Sequence, residues 1–364
     1  MPIPAPPDAP TTEESISRAE LALATRNHGM PLEAMRWDIT PPGLHYVLVH
    51  YDIPALDDAG WRLELSGAVA HPMTVDLAGL SRRDQVEVTT TMECAGNGRA
   101  LLSPRAVAQP WLLEAVGTAR WTGVALDDLL DEAGVDDDAV ELVFTGADRG
   151  HQGGVVQNYS RALTVADARS AGAVVAHRMN GAPLPPQHGH PARLVVPGWY
   201  GMANVKWLTG ITAVTEPHQG YHNAVAYRMR VDPGDAGTPV TRMAPRSLMI
   251  PPGVPDYSSR QRLLGTGRCL LEGRAWSGHA PIEAVEVSVD GGATWLPADL
   301  SPQTSQHAWR RFRYPWEAAP GDHLLSTRCR DAAGNTQPDQ AVWNLGGYTN
   351  NGLQLIAVTV VDQA

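Results

Sequence analysis

VEVSVDGGATW, residues 285–295, reads as a short strand closed by a Gly-Gly turn, and it sets the style of the last third of the chain. WSG at 276–278, WRRFRYPW at 309–316, LLSTRCRDAAGN at 324–335 and LQLIAVTVV at 353–361 continue it, each a strand bounded by turn residues. Strands spaced by tight turns, with no helical stretch among them, predict a β-sandwich of immunoglobulin type. Just upstream, DPGDAGTPVTRMAPRSLMIPPGVPD at 232–256 is crowded with Pro and Gly and reads as an interdomain connection.

Ahead of that connection, helices and strands mix. SISRAELALA at 15–24 starts on Ser and has helical spacing of Ile16, Leu21 and Leu23, so a short helix is expected. Residues 44–51, ending HYVLVHY, alternate as a strand, and WRLEL at 61–65 does the same. A short helix is expected at 75–80, a β-branched strand at 85–91, and a helix at 124–133 closed by Gly134. Further strands fall at 139–144, 193–197 and 210–215. The fold class is therefore α+β followed by a sandwich. A flexible Pro/Thr tail is expected over 1–14, a catalytic domain over 15–235 and an immunoglobulin-like domain over 236–364.

Composition agrees with that division. A length of 364 residues suggests two domains. Hydrophobic residues at 43% with charged residues at 18% fit a globular chain. Gly 35 and Pro 30 imply many turns, and long helical bundles are improbable. A net charge of −11 disfavours general binding to nucleic acid or to anionic membranes. No apolar run approaches a membrane span, and three Cys exclude a disulfide scaffold. No CxxC, CxxCH or HExxH occurs, so zinc-ribbon, c-type haem and zincin readings have no support. MPIPAPPDAPTTEES shows no export signal, which gives an expectation of cytoplasmic location, or periplasmic if a leader has been removed.

Several residues stand out for their chemistry. Cys94 sits at a strand end before Ala-Gly-Asn-Gly-Arg, where two glycines free the backbone for a tight loop. Arg99 beside it is expected to lower the Cys94 pKa and favour the thiolate, a nucleophile or soft-metal ligand. A buried structural thiol is the competing reading. The chain holds 28 Lys and Arg, of which only Lys206 is a lysine. A coding bias toward Arg leaves Lys where a compact ammonium is needed, or by chance. His188 and His190 flank a glycine in a loop and read on pattern alone as structural. Arg26-Asn27-His28 and Asp148-Arg149-Gly150 look like surface turns, and Trp111, Trp121, Trp199 and Trp207 like core fillers.

These fragments cohere. TTTMECAGNGR at 89–99 resembles the cysteine loop of the sulfite oxidase family of molybdenum enzymes. ARWTGVALDDLL at 119–130, NGAPLPPQHGHPARLVVPG at 180–198 and ANVKWL at 203–208 look like the same family in the expected order. AWSGHAPIEAVEVSVDGGATW and VWNLGGYTNNG resemble its dimerisation domain, and the similarity spans about residues 20–361.

The resemblance implies a molybdenum–molybdopterin cofactor with Cys94 as the protein's metal ligand. Arg26, Asn27 and His28 match the family's RNH loop, which contacts the cofactor and faces the pocket. Asp148, His188, Arg193, Asn204 and Lys206 fall where the family holds the pterin and its phosphate, which suits an ammonium. Arg99 matches a substrate-binding arginine, Trp111 a pocket tryptophan, and Tyr227 the active-site tyrosine. The implied reaction oxidises sulfite to sulfate, with Arg26 and Arg99 binding the anion. The implied partners are an external electron acceptor, such as a cytochrome, and a second copy of the chain. No haem is expected within these 364 residues.

The chain departs from the pattern at Gly98-Arg99, where many members carry Arg-Arg, so another oxyanion or sulfur compound, as in sulfane dehydrogenases or nitrate reductases, is the alternative substrate. A cysteine hydrolase built on Cys94 and a cofactor-free binding protein are the readings from other classes. Cys269 and Cys329, 60 residues apart, have roughly the separation of an immunoglobulin inter-sheet disulfide, but with no export signal both are expected as buried reduced thiols.

Overall fold

The computed structural model describes residues 16–362. The tail expected over 1–14 lies outside them. Among the described residues no helix is long and apolar enough to cross a membrane.

Two sheets build the first part of the chain. One runs in the order Met73–Asp76, Arg62–Gly67, Leu208–Val214, Glu141–Gln152, Val155–Thr164. Its one parallel pairing, Arg62–Gly67 with Leu208–Val214, joins the start of the domain to its end. The other sheet carries Val86–Glu93, Val116–Ala125, Val174–Met179 and Ala182–Pro183, with Arg193–Val195 also pairing onto Val174–Met179. Helix Leu126–Ala133 buries Leu126, Leu129, Leu130 and Ala133 against these sheets. Gly134 ends it at φ +64, the left-handed position that glycine adopts without strain. Helix Arg18–Ala24 is held at its start by a capping box between Ser17 and Glu20.

Three expectations needed correction. Residues 44–51 form no ladder; the segment is extended, with only a single bridge between Val47 and His28. Side chains take the place of a partner strand. Val49 N–H donates to Asn27 Oδ1 at 2.6 Å, and the Leu48 carbonyl accepts from Lys206 Nζ at 2.7 Å. The stretch at 232–256 is also more than a connection, because it contains the fully buried strand Arg246–Met249. Asp148 belongs to strand Glu141–Gln152, at a register shift, rather than to a turn.

The sandwich packs two sheets. Arg246–Met249, Gly267–Trp276, Arg310–Ala318 and Asp299–Leu300 face Val254–Pro255, Arg262–Gly265, Ile356–Val361, Gly321–Asp331, Ile282–Ser288 and Leu296–Pro297. Its core of Leu271, Val285, Val287, Phe312, Leu325 and Val358 is separate from the large core of the first domain. Cys269 and Cys329 lie on opposite sheets as free thiols; Cys329 is buried, but Cys269, expected buried, is only half-buried.

Candidate active site

Strand Val86–Glu93 delivers Cys94 to the floor of a cleft of about 690 Å³, counting the open solvent at its mouth. Cys94, Asp148, His188, Arg193, Asn204, Lys206 and Tyr227 all line this cleft. They come from six separate stretches of chain. Arg26, Asn27, His28, Arg99 and Trp111 do not line it. Arg26 is 48% exposed and pairs with Asp52 at 2.8 Å. The cleft wall that the RNH triplet was expected to supply comes instead from 45–50, with His45, Tyr46 and His50. Asn27 holds that segment from behind, through the bond to Val49 and another to Gln109 at 3.0 Å. Trp111 is buried and packs in one cluster with Cys94.

One end of the cleft is cationic. Arg193 is buried over the Trp121 ring at 4.7 Å and donates to the carbonyls of His188 and Asn204 at 3.1 Å each. Lys206 Nζ donates to the Leu48 and Gln187 carbonyls at 2.7 and 2.9 Å and sits 4.4 Å from the Trp207 ring centroid. Asn204 holds the turn between them, accepting from Val196 N–H at 2.7 Å and donating to the Tyr200 carbonyl at 3.1 Å. Gly189 is at φ +104, with Lys206 Cβ and Arg193 Cβ 3.0 and 3.1 Å from where a side chain would begin, so only glycine lets the His-Gly-His loop approach them.

Burial governs the electrostatics here. It pulls Lys206 down to about 7 with help from Arg193, while Asp148 opposes; the Asp148 carboxyl is pushed up to about 7 by burial against the pull of Lys206. Burial also holds His45 down to about 4 and His188 far below the usual imidazole range. Nε2 of both histidines is buried without a hydrogen-bond partner. Cationic donors and unmatched ring nitrogens converging on a cleft fit a bound anion such as a phosphate. The Cys94 thiol departs from expectation: burial raises its pKa, and Arg99 only moderates the rise.

The other end is assembled partly by the sandwich domain. Arg99 is buried, donates through Nε to the Gly346 carbonyl at 2.8 Å, and lies 5.2 Å over the Tyr348 ring. Tyr348 packs against Tyr227 with ring centroids 5.3 Å apart. Thr349 N–H donates to Ala95 O at 2.8 Å, and Asn350 Nδ2 to Gly98 O at 2.5 Å. Gly98 is at φ +88, and a Cβ there would meet Asn350 Nδ2 at 2.7 Å. This close approach accounts for glycine where an arginine was expected.

Glu93, next to Cys94, is buried and gripped from both domains. Its carboxylate accepts from Arg246 Nη1 at 2.6 Å, Trp276 Nε1 at 2.9 Å and Asn97 Nδ2 at 3.0 Å. Sequence reading missed Glu93, His45, Tyr46, His50, Tyr159, Arg246 and Tyr348. Glu93 and Tyr348 lie inside the stretches TTTMECAGNGR and VWNLGGYTNNG without being singled out there, and the others belong to no motif that marks a site by itself.

Comparison with known proteins places this geometry in a class. Residues 50–222 match the oxidoreductase molybdopterin binding domain, and residues 256–361 the Mo-co oxidoreductase dimerisation domain. Sulfite oxidase of Gallus gallus is 32% identical over 329 residues, covering 85% of this chain and 70% of that protein. Mitochondrial sulfite oxidase of Mus musculus is 31% identical over 89% of this chain, which spans 62% of that protein's length. Nitrate reductase [NAD(P)H] of Hordeum vulgare is 31% identical over 86% of this chain and 38% of its own. The structure of the sulfane dehydrogenase SoxCD from Paracoccus pantotrophus superposes with a TM-score of 0.79 at 27% identity, over 92% of this chain and 86% of that one. The chain belongs to the sulfite oxidase family of molybdopterin-dependent oxidoreductases.

Proposed function

We propose that the cleft holds the molybdenum–pterin cofactor and oxidises sulfite to sulfate, electrons leaving to an external acceptor such as a cytochrome. The observation that carries this reading is the convergence of Cys94 with buried Arg193, His188, Asn204 and Asp148 and half-buried Lys206 in one cleft. Among the described residues no three His, Cys, Asp or Glu cluster to hold a metal, so Cys94 would be its protein ligand and the pterin would supply the rest. When bound, the cofactor supplies the two-electron redox chemistry.

The chain's own residues bind, orient and shield. Lys206 and Arg193 hold the anionic end of the cofactor, with His188 as a neutral donor and Asn204 fixing their loop. Met92 and the Trp207 ring wall off water. Tyr227 donates its phenolic proton to the sulfur oxyanion, and Arg99 supplies positive charge one ring behind it. Sulfite and water give sulfate, a pair of electrons and a pair of protons.

The test is turnover with a one-electron acceptor, offering sulfite, thiosulfate and nitrate in turn. Sulfite as the preferred substrate supports the reading; preference for either other anion overturns it. The match to a dimerisation domain supports a homodimer through the sandwich, and a monomer mass in solution scattering would contradict it.

A further inference from the structure

We propose that Arg161 supplies a second positive charge to the substrate-anion site, acting through the ring of Tyr227. The inference rests on the reading of the cleft as an oxyanion site. Arg161 is 4% exposed, at the inner side of strand Val155–Thr164. Two residues earlier on the same face, Tyr159 lines the cleft. The Arg161 guanidinium lies 5.4 Å from the Tyr227 ring centroid. Nη1 donates to the His222 carbonyl, and Nε is buried with no hydrogen-bond partner. Among the described residues it forms no ion pair; Glu141 acts on it only through space.

An unpaired guanidinium is an unfavourable way to fill a core, since an apolar side chain of equal volume fills the same space without desolvating a charge. The arrangement makes sense if its counter-charge arrives with the substrate. Arg161, Tyr227, Tyr348 and Arg99 form a chain of contacts in which two phenol rings, packed at a 35° tilt, connect two guanidiniums. Among the described residues neither guanidinium has a carboxylate partner. A cation over the ring face withdraws electron density from the phenol and strengthens its O–H as a donor. The position beside the cysteine loop, Gly98, has no room for a side chain, so a second charge must come from elsewhere in the wall.

Arg161 thus acts as a positioning residue for the anion, and its charge is felt equally in ground and transition states. The cofactor-loaded full chain is compared as wild type, Arg161→Met and Arg161→Lys. Readouts are steady-state sulfite kinetics and sulfate affinity by calorimetry, with molybdenum content measured in each. Arg161→Met is expected to raise both sulfite KM and the sulfate Kd about tenfold, with kcat changed less than about threefold, the pattern of lost uniform binding. Arg161→Lys keeps the charge and should stay within about threefold of wild type in both.

Unchanged sulfate affinity in Arg161→Met at normal molybdenum content overturns the proposal. If Arg161→Met fails to fold, a tenfold loss of sulfate affinity in folded, loaded Arg161→Lys overturns it equally. Wild type that binds sulfate but does not oxidise sulfite sinks the substrate assignment alone, because the sulfate comparison still reads Arg161.

Discussion

The two ends of the cleft are built by different means. At the cationic end, Lys206 and Arg193 are pinned by backbone carbonyls of their own and neighbouring loops, within one domain. At the Tyr227 end, Arg99, Arg161 and Tyr348 are arranged by ring stacking, and Tyr348 is reached only because the sandwich folds back over the cysteine loop. The first arrangement is rigid and suits a resident group held permanently. The second depends on domain packing and leaves charges unpaired, as a site for a transient anion would.

Cys94→Ser breaks the link between the ends. The hydroxyl is nearly isosteric but a much harder and weaker ligand, so turnover should fall more than about a thousandfold while the fold persists. Near-normal sulfite oxidation with molybdenum bound would remove Cys94 from the metal.

Glu93→Gln tests the domain packing. It leaves Arg246 as an uncompensated charge at 1% side-chain exposure, so a loss of about 3–5 kcal/mol in denaturant unfolding is expected. A loss below about 1 kcal/mol would mean the clamp contributes little.

Lys206 sharpens the contrast from the cationic end. Lys206→Ala removes a charge-assisted bond to the cofactor anion, about 1.5–3 kcal/mol, and should lower molybdenum occupancy roughly ten- to a hundredfold at limiting cofactor. Lys206→Arg should lose less because it keeps the charge, but still some, because the guanidinium is too wide for the space between the Leu48 and Gln187 carbonyls. Full occupancy in both would free the lone lysine of this role.

The acid response reads the buried histidines. His45 and His222 are held neutral by burial, down to about 4 and about 3. The unfolded chain binds protons on them that the folded one does not. Their contribution is therefore fully present above about pH 6.5 and lost as pH falls toward 4, by up to roughly 1.4 kcal/mol per pH unit for each. Thermal midpoints between pH 7 and 4.5 measure it; for His45→Gln, a slope as steep as wild type would exclude His45 as a source.

The contrast between the ends also explains what the sequence disclosed. Cys94, the His188–Arg193 loop and Lys206 lie in short motifs whose spacing survives folding, so the cationic end was legible. The sandwich was legible from its turns. Residues 44–51 misled because their alternation serves cleft and core, with Asn27 and Lys206 satisfying backbone groups that a neighbouring strand would otherwise take. Strand Arg246–Met249 was hidden among prolines because Gln337 and Gln354, distant side chains, bond its backbone at 2.9 and 2.7 Å. Arg161 carries no local signal and Tyr348 only that of its domain, since their part at the cleft comes from ring contacts assembled across more than a hundred residues of chain.

Metal analysis of the purified wild-type chain, followed by anaerobic titration with sulfite, tests the central claim most directly. The account predicts about one molybdenum per chain, bound through Cys94, and reduction by about one equivalent of sulfite with sulfate released. A chain expressed in a molybdenum-replete host that carries no molybdenum, or a loaded chain that sulfite leaves oxidised, would contradict it.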